Sequence, residues 1–332
     1  MAIEYKSQPG HVSSFIKQYG LSCVGWDLDG TLANTEHLHR SICRAALQEM
    51  SGSPVLERDF RAPHYRGAFG LPGAETSIRL AMGLSDLNAE GFDRALQYAR
   101  ARGFPGDSLV AVGHAMTQLR DEIFSFYIGN VQTVHTPERG GAVSLKLASL
   151  SDITDPMLIA RRDALKSVKV HTYPYVLEAL RVFGACGLAQ GVCTSSGKAF
   201  ALPLLTAFGI VSKFSAVVTA DCVPDGKHKP APDPWHLLRA RLTTVPNAPR
   251  GGAPIPDMMF IENSSGGGLS SMRAGSGPTF VIADNIPATV AKMQVKMEAL
   301  AASSPESVIL GTATFIQDLG ALVMPSRDRA DG

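Results

Sequence analysis

Val24-Gly25-Trp26-Asp27-Leu28-Asp29-Gly30-Thr31 is the stretch that decides the fold. It closes the short apolar run Leu21–Trp26 and passes directly into an acidic loop. An apolar run of strand length, bounded by polar residues, has the pattern of a buried strand in a parallel sheet. Ligands of open α/β sheets bind at the carboxyl ends of strands, so Asp27 and Asp29 stand where chemistry is expected. Two carboxylates one residue apart face nearly the same space. Charges so placed raise each other's pKa unless a cation lies between them. A hard cation with oxygen ligands, Mg²⁺, is the natural partner. One carboxylate can then attack a phosphorus centre while the other handles protons. Asp, Gly and Thr are also ordinary turn residues. A calcium loop is ruled out, because it needs Gly at its sixth position and an acid at its twelfth. This chain has Leu32 and Leu38 there.

The same pattern of apolar runs recurs at Leu188–Thr194, Ser215–Ala220, Asp257–Glu262 and Thr279–Ala283. Helical periodicity follows most of them. It is seen in Val176–Phe183, in Pro234–Leu242 with Asp233 as N-cap and Pro234 at the first helical position, and in Ile286–Ala301. Alternating strands and helices predict an α/β fold, a doubly wound Rossmann-like parallel sheet. The middle of the chain reads differently. Helices are expected over Thr35–Met50, from an Asn88 cap to Arg102, over Ser108–Tyr127 and over Pro156–Ser167, with Gly129–Asp155 as a long loop. The expectation is an all-helical unit, residues 35–169, inserted into a core built from residues 1–34 and 170–332. Gly251–Pro256 and Pro325–Gly332 read as a surface loop and a frayed tail.

The chain has 332 residues, 45% of them hydrophobic and 18% charged, which gives ample material for a core. Its formal net charge of +1 and the absence of a basic run argue against nucleic acid or a membrane surface as partner. No apolar stretch approaches the roughly 18–20 residues of a spanning helix, and Met1–Gly10 shows no apolar segment of a signal peptide. The five cysteines are odd in number, widely spaced and without a C-x-x-C pair. They are expected to be free thiols in a reducing cytoplasm. The expected assembly is a monomer or a homodimer.

Three further strand ends carry polar motifs. Val192-Cys193-Thr194-Ser195-Ser196 puts hydroxyls beside free backbone N–H groups, suited to a phosphate oxygen or to capping the helix Lys198–Phe208. Lys229-Pro230-Ala231-Pro232-Asp233 offers a cation that can offset charge in a transition state. Phe260-Ile261-Glu262-Asn263-Ser264-Ser265-Gly266 ends a strand and opens a glycine-rich helix. Together with Asp27-Leu28-Asp29-Gly30-Thr31-Leu32, these motifs resemble, in order, the four motifs of the haloacid dehalogenase superfamily. The likeness is to its β-phosphoglucomutase and phosphoglycolate phosphatase branch.

The resemblance implies roles. Asp27 is the nucleophile that becomes an aspartyl-phosphate, and Asp29 is the general acid/base, whose presence speaks against the dehalogenase and phosphonatase branches. Thr194 holds phosphate, with Ser195 and Ser196 as weaker candidates. Lys229, rather than Lys227, neutralises the phosphoryl group. Gly30 and Thr31 of the first motif are assigned to the substrate. Mg²⁺ is the implied cofactor, held by Asp27, Asp29, Glu262 and Asn263. The family has an Asp where this chain has Asn263, and an amide is neutral. The site therefore carries one negative charge fewer, and weaker Mg²⁺ binding is expected. The inserted unit corresponds to a cap that closes over substrate, in which His39 and Arg66, of the loop His64–Gly73, are expected to face it. The implied activity is a Mg²⁺-dependent phosphatase of a small phosphorylated metabolite. A sugar-phosphate mutase and a catalytically weakened phosphometabolite-binding protein are the alternatives.

Overall fold

A computed structural model describes residues 16–17, 20–55, 73–106, 108–136, 141–173, 176–242, 257–275, 279–282 and 309–313. The expected helix Ile286–Ala301, the stretches Gly251–Pro256 and Pro325–Gly332, and Arg66 with residues 64–72 of its loop lie outside them.

The chain opens with β1 (Cys23–Trp26) and the short β2 (Ala33–Asn34). Helices α1 (Glu36–Ser51), α2 (Gly73–Leu87), α3 (Ala89–Ala101) and α4 (Leu109–Gly129) follow. Next come a hairpin of β3 (Val131–Thr136) and β4 (Ala142–Leu147), then α5 (Pro156–Leu165) and β5 (Val170–Thr172). The chain then alternates through α6 (Val176–Ala185), β6 (Ala189–Cys193), α7 (Lys198–Ala207), β7 (Ala216–Val218), α8 (Asp233–Leu242), β8 (Met258–Glu262), α9 (Ser265–Gly275), β9 (Thr279–Ile282) and β10 (Ile309–Ala313).

Six strands form a parallel sheet in the order β10-β9-β8-β1-β6-β7. β1 lies between β6 and β8, with Trp26 in register with Val192 on one side and Ile261 on the other. The carboxyl ends of these three strands are therefore level. Val24, Trp26, Val192, Phe260 and Ile261 are buried completely, as expected of strands covered on both faces. The Trp26 indole N–H donates to Gln190 Oε1 (3.1 Å), and the Gln190 amide donates to the Leu180 carbonyl (2.7 Å), so these two buried side chains are both paired. The α/β expectation holds, and α8 begins one residue early, on Asp233.

The inserted segment departs from expectation in two places, at residues 131–147 and at α2. Residues 131–136 and 142–147 pair as antiparallel strands within the expected loop, so the insertion is helical but not all-helical. β4 pairs with β5, and β5 pairs with β2, so the segments entering and leaving the insertion are joined in a four-stranded antiparallel sheet. The physical reason lies in Val131, Thr133, Val134, Thr136 and Val143, whose branched side chains favour the pleated surface. α2 was also not expected; its starting glycine and interior Gly83 weaken the helical signal. The expected helix starts hold elsewhere. Asn88 accepts from Gly91 N (2.8 Å), Ser108 from Ala111 N (3.3 Å) and Asp155 from Met157 N (2.7 Å). All five cysteines are free. Among the described residues, no helix is long and apolar enough to cross a membrane.

Candidate active site

Asp27 is the first residue beyond β1 and stays buried, its N–H bonded to the Ile261 carbonyl (2.9 Å). The chain then turns sharply. The Leu28 carbonyl accepts from Leu32 N (3.0 Å) and Ala33 N (3.1 Å), and Gly30 sits at φ +81°. Only glycine adopts that conformation at little cost. A Cβ on Gly30 would also fall on the Asn263 amide, 1.8 Å from Nδ2, so the loop after β1 lies directly against the loop after β8. Thr31 is buried with its hydroxyl 3.4 Å from Asp27 Oδ2.

Lys229 reaches this strand end from the loop before α8. Its ammonium donates to Asp27 Oδ1 (2.8 Å), Glu262 Oε1 (2.5 Å) and the Cys193 carbonyl (2.7 Å). An ammonium has three donors, and all are used. It also lies 4.8 Å from the centre of the Trp235 ring, a cation–π contact from the first turn of α8. Burial works against the charge on Lys229, but Asp27 and Glu262 outweigh it and hold the ammonium protonated well above its ordinary range. Burial pushes the Glu262 carboxyl up to about 8, opposed by Lys229 and reinforced by Asp27. Burial also raises Asp27, again opposed by Lys229. The second oxygen of Glu262, Oε2, is buried and has no hydrogen-bond partner. It is pressed against Gly267, where a Cβ would come within 1.9 Å.

Asp29 faces the other way. Its Oδ1 accepts from Thr35 Oγ1 (2.5 Å) and lies 3.2 Å from His39 Nε2. Its Oδ2 accepts from Ser196 Oγ (2.6 Å) and Thr194 Oγ1 (3.2 Å). Burial alone would raise this carboxyl, but the bonds from His39, Ser196 and Thr35 prevail and hold it down to about 2. Because its carboxylate is engaged by these four groups, it does not join Asp27 and Glu262. Among the described residues, no three His, Cys, Asp or Glu side chains gather as a metal cluster.

The structure thus brings Asp27, Asp29, Thr194, Ser196, Lys229, Glu262 and His39 to one end of the sheet. Ser195 is half-buried beside them. The sequence reading missed Thr35, Trp235 and the Cys193 carbonyl. Thr35 stands at the N-cap of α1, yet makes no side-chain cap bond and gives its hydroxyl to Asp29 instead. The missed signal was a capping residue six positions after an acid.

The family model that matches is the haloacid dehalogenase-like hydrolase, over residues 21–262. A phosphoglycolate phosphatase of Nitrosococcus oceani is 38% identical over 66 residues, 20% of this chain and 29% of that protein. A phosphoglycolate phosphatase of Nitrosospira multiformis is 32% identical over 111 residues, 33% of this chain and 43% of that protein. The matches thus span less than half the length of these curated relatives. The crystal structure of a candidate β-phosphoglucomutase from Thermotoga maritima shares the fold, with a TM-score of 0.50 at 18% identity, covering 90% of this chain and 97% of that one. With the family model matched over most of this chain and the residues of the four motifs gathered at the carboxyl ends of β1, β6 and β8, the chain belongs to the haloacid dehalogenase-like hydrolases.

Proposed function

We propose that this chain is a Mg²⁺-dependent phosphatase acting on a small phosphorylated metabolite, with residues 1–34 and 170–332 as the core and 35–169 as a cap. One observation carries the reading. The two acids of the first loop are separated into distinct environments, Asp27 against Lys229 and Asp29 among hydroxyls and His39. Such a separation supports a division of labour in which one acid attacks and the other transfers protons.

Asp27, with Lys229 beside it, attacks the phosphorus in line, and the bond from phosphorus to the leaving oxygen breaks. Asp29 gives that oxygen a proton. Water then attacks the aspartyl-phosphate, Asp29 takes the proton of the water, and inorganic phosphate leaves Asp27. Asp29 rests ionised, the form needed for the second half. An incoming phosphoryl group that draws Thr194 and Ser196 to its own oxygens removes two of the bonds that hold Asp29 ionised, and so favours the protonated form for the first half. Lys229, with its three donors engaged, acts on the charge of Asp27 rather than gripping substrate.

The residues present fit a hard cation: they offer only oxygen donors, and Glu262 Oε2 is buried and unpartnered. Asp27, Glu262, the Asn263 amide oxygen and the Asp29 backbone carbonyl would hold it. When bound it would supply positive charge to offset the negative charge on the phosphoryl oxygens. The test is phosphate release across sugar phosphates, phosphoglycolate, bisphosphates and nucleotides, with wild type and Asp27→Asn. Turnover that vanishes in Asp27→Asn supports the reading, and full turnover in that variant overturns it. An isomeric sugar phosphate in place of free phosphate would make the chain a mutase.

A further inference from the structure

Asp29 is held from two sides. Thr194 and Ser196, after β6, bind Oδ2, whereas Thr35 and His39, at the start of the insertion, meet Oδ1. His39 therefore reaches from the cap to a carboxylate of the core. A single contact at Nε2 leaves the plane of the imidazole undefined. Phe200 defines it. Its ring stacks on His39, with centroids 4.2 Å apart and planes 25° apart. Phe200 lies in the first turn of α7, four residues beyond Ser196, and only 8% of it is exposed. On its other contact it meets Phe124 of α4, with centroids 4.4 Å apart. One ring of the core thus touches two rings of the insertion, His39 and Phe124. At the far end of the same helix, Thr133 Oγ1 of the hairpin donates to the Ala207 carbonyl (3.1 Å). The insertion rests on α7 at both ends.

We propose that Phe200 is a positioning residue. It holds the His39 imidazole on Asp29 and is itself held by Phe124, so that one stack of rings fixes the plane of the imidazole against the carboxylate. The inference rests on reading Asp29 as the acid/base. Stacked and tilted aromatic pairs favour defined ring geometries, which an aliphatic side chain of similar volume does not impose. Leucine at this position would fill the space and leave the imidazole free to turn.

The test separates proton transfer from packing by the choice of leaving group. p-Nitrophenol leaves without help from an acid, whereas an alkoxide needs its proton. In Phe200→Leu, kcat/KM for the alkyl phosphate that wild type turns over fastest falls about tenfold, a fraction of what acid–base catalysis supplies. The value for p-nitrophenyl phosphate stays within about twofold of wild type, and Phe200→Tyr restores the alkyl rate. Adding Phe200→Leu to His39→Ala causes no further loss, because both changes remove one interaction. Thermal unfolding by circular dichroism checks that each variant is folded. Equal losses on both substrates, or additive losses in the double variant, would overturn the proposal and leave Phe200 as packing alone. Neither result touches Asp27→Asn, so a failure here is distinct from a failure of the phosphatase reading.

Discussion

With its three donors spent on Asp27, Glu262 and the Cys193 carbonyl, Lys229 neutralises two buried carboxylates at once. Removing one partner of a buried ion pair leaves charge without compensation. Lys229→Met should therefore lower unfolding free energy by about 3–5 kcal/mol, measured by urea denaturation, and Glu262→Gln in the same chain should recover part of the loss. Asp29 gives a pH signature. Its folded pKa of about 2 lies below that of a free Asp, so the bonds from His39, Ser196 and Thr35 stabilise the fold above pH ~4. That stability is lost as the pH falls through about 2. Unfolding followed from pH 6 to pH 2 should fall less steeply in Asp29→Asn than in wild type. Asn263 sets the third expectation. Replacing it with Asp adds a charge to a site where Lys229 already offsets one, and Mg²⁺ affinity by titration calorimetry should tighten about tenfold. Equal or weaker affinity would mean that the amide is not the reason the site is short of charge.

At the scale of elements, the insertion is tied together by Arg161 of α5. It is 7% exposed and donates to both oxygens of Glu49 on α1 (3.0 and 2.9 Å), with Glu122 of α4 at 3.6 Å. Arg161→Ala takes the cation from Glu49, while Glu122 keeps its pair with Arg102, and should destabilise the chain by about 3–5 kcal/mol in chemical denaturation. The helices that carry these residues were legible from the sequence, because α1 and α4 repeat apolar residues at helical spacing and α3, α4 and α5 begin with capping side chains. The hairpin was not legible. β3 interleaves Val131 and Val134 with the polar Gln132 and His135 near an expected boundary, which does not distinguish a strand from a loop in a segment otherwise read as helical. Phe200 and Phe124 were hidden for a related reason. An aromatic at helical spacing reads as core, and burial alone does not say that its neighbour is a histidine bound to Asp29. Lys229 was the opposite case. A loop lysine is ordinarily solvated, and only its motif marked it, yet it is among the most constrained side chains of the site.

Across the whole molecule, sheet order does what sequence distance hides. Asp27 and Lys229 are 202 positions apart and Asp29 and Ser196 are 167 apart, yet each pair is in hydrogen-bond contact. The placement of β1 between β6 and β8 makes this so, because it levels the ends from which Asp27, Thr194 and Glu262 project. On this account the sheet delivers a nucleophile, the inserted unit delivers the group that steadies its proton-transfer partner, and turnover passes through a phosphoryl group covalently held on Asp27. That last claim is open to direct measurement. Wild-type protein is mixed with Mg²⁺ and substrate, quenched within a turnover and treated with borohydride, which reduces an acyl phosphate but not a free carboxylate. Peptide mass spectrometry should then find the reduced side chain, homoserine, at position 27 and nowhere else. Reduction at position 29, or no reduced residue while phosphate is being released, would contradict the account.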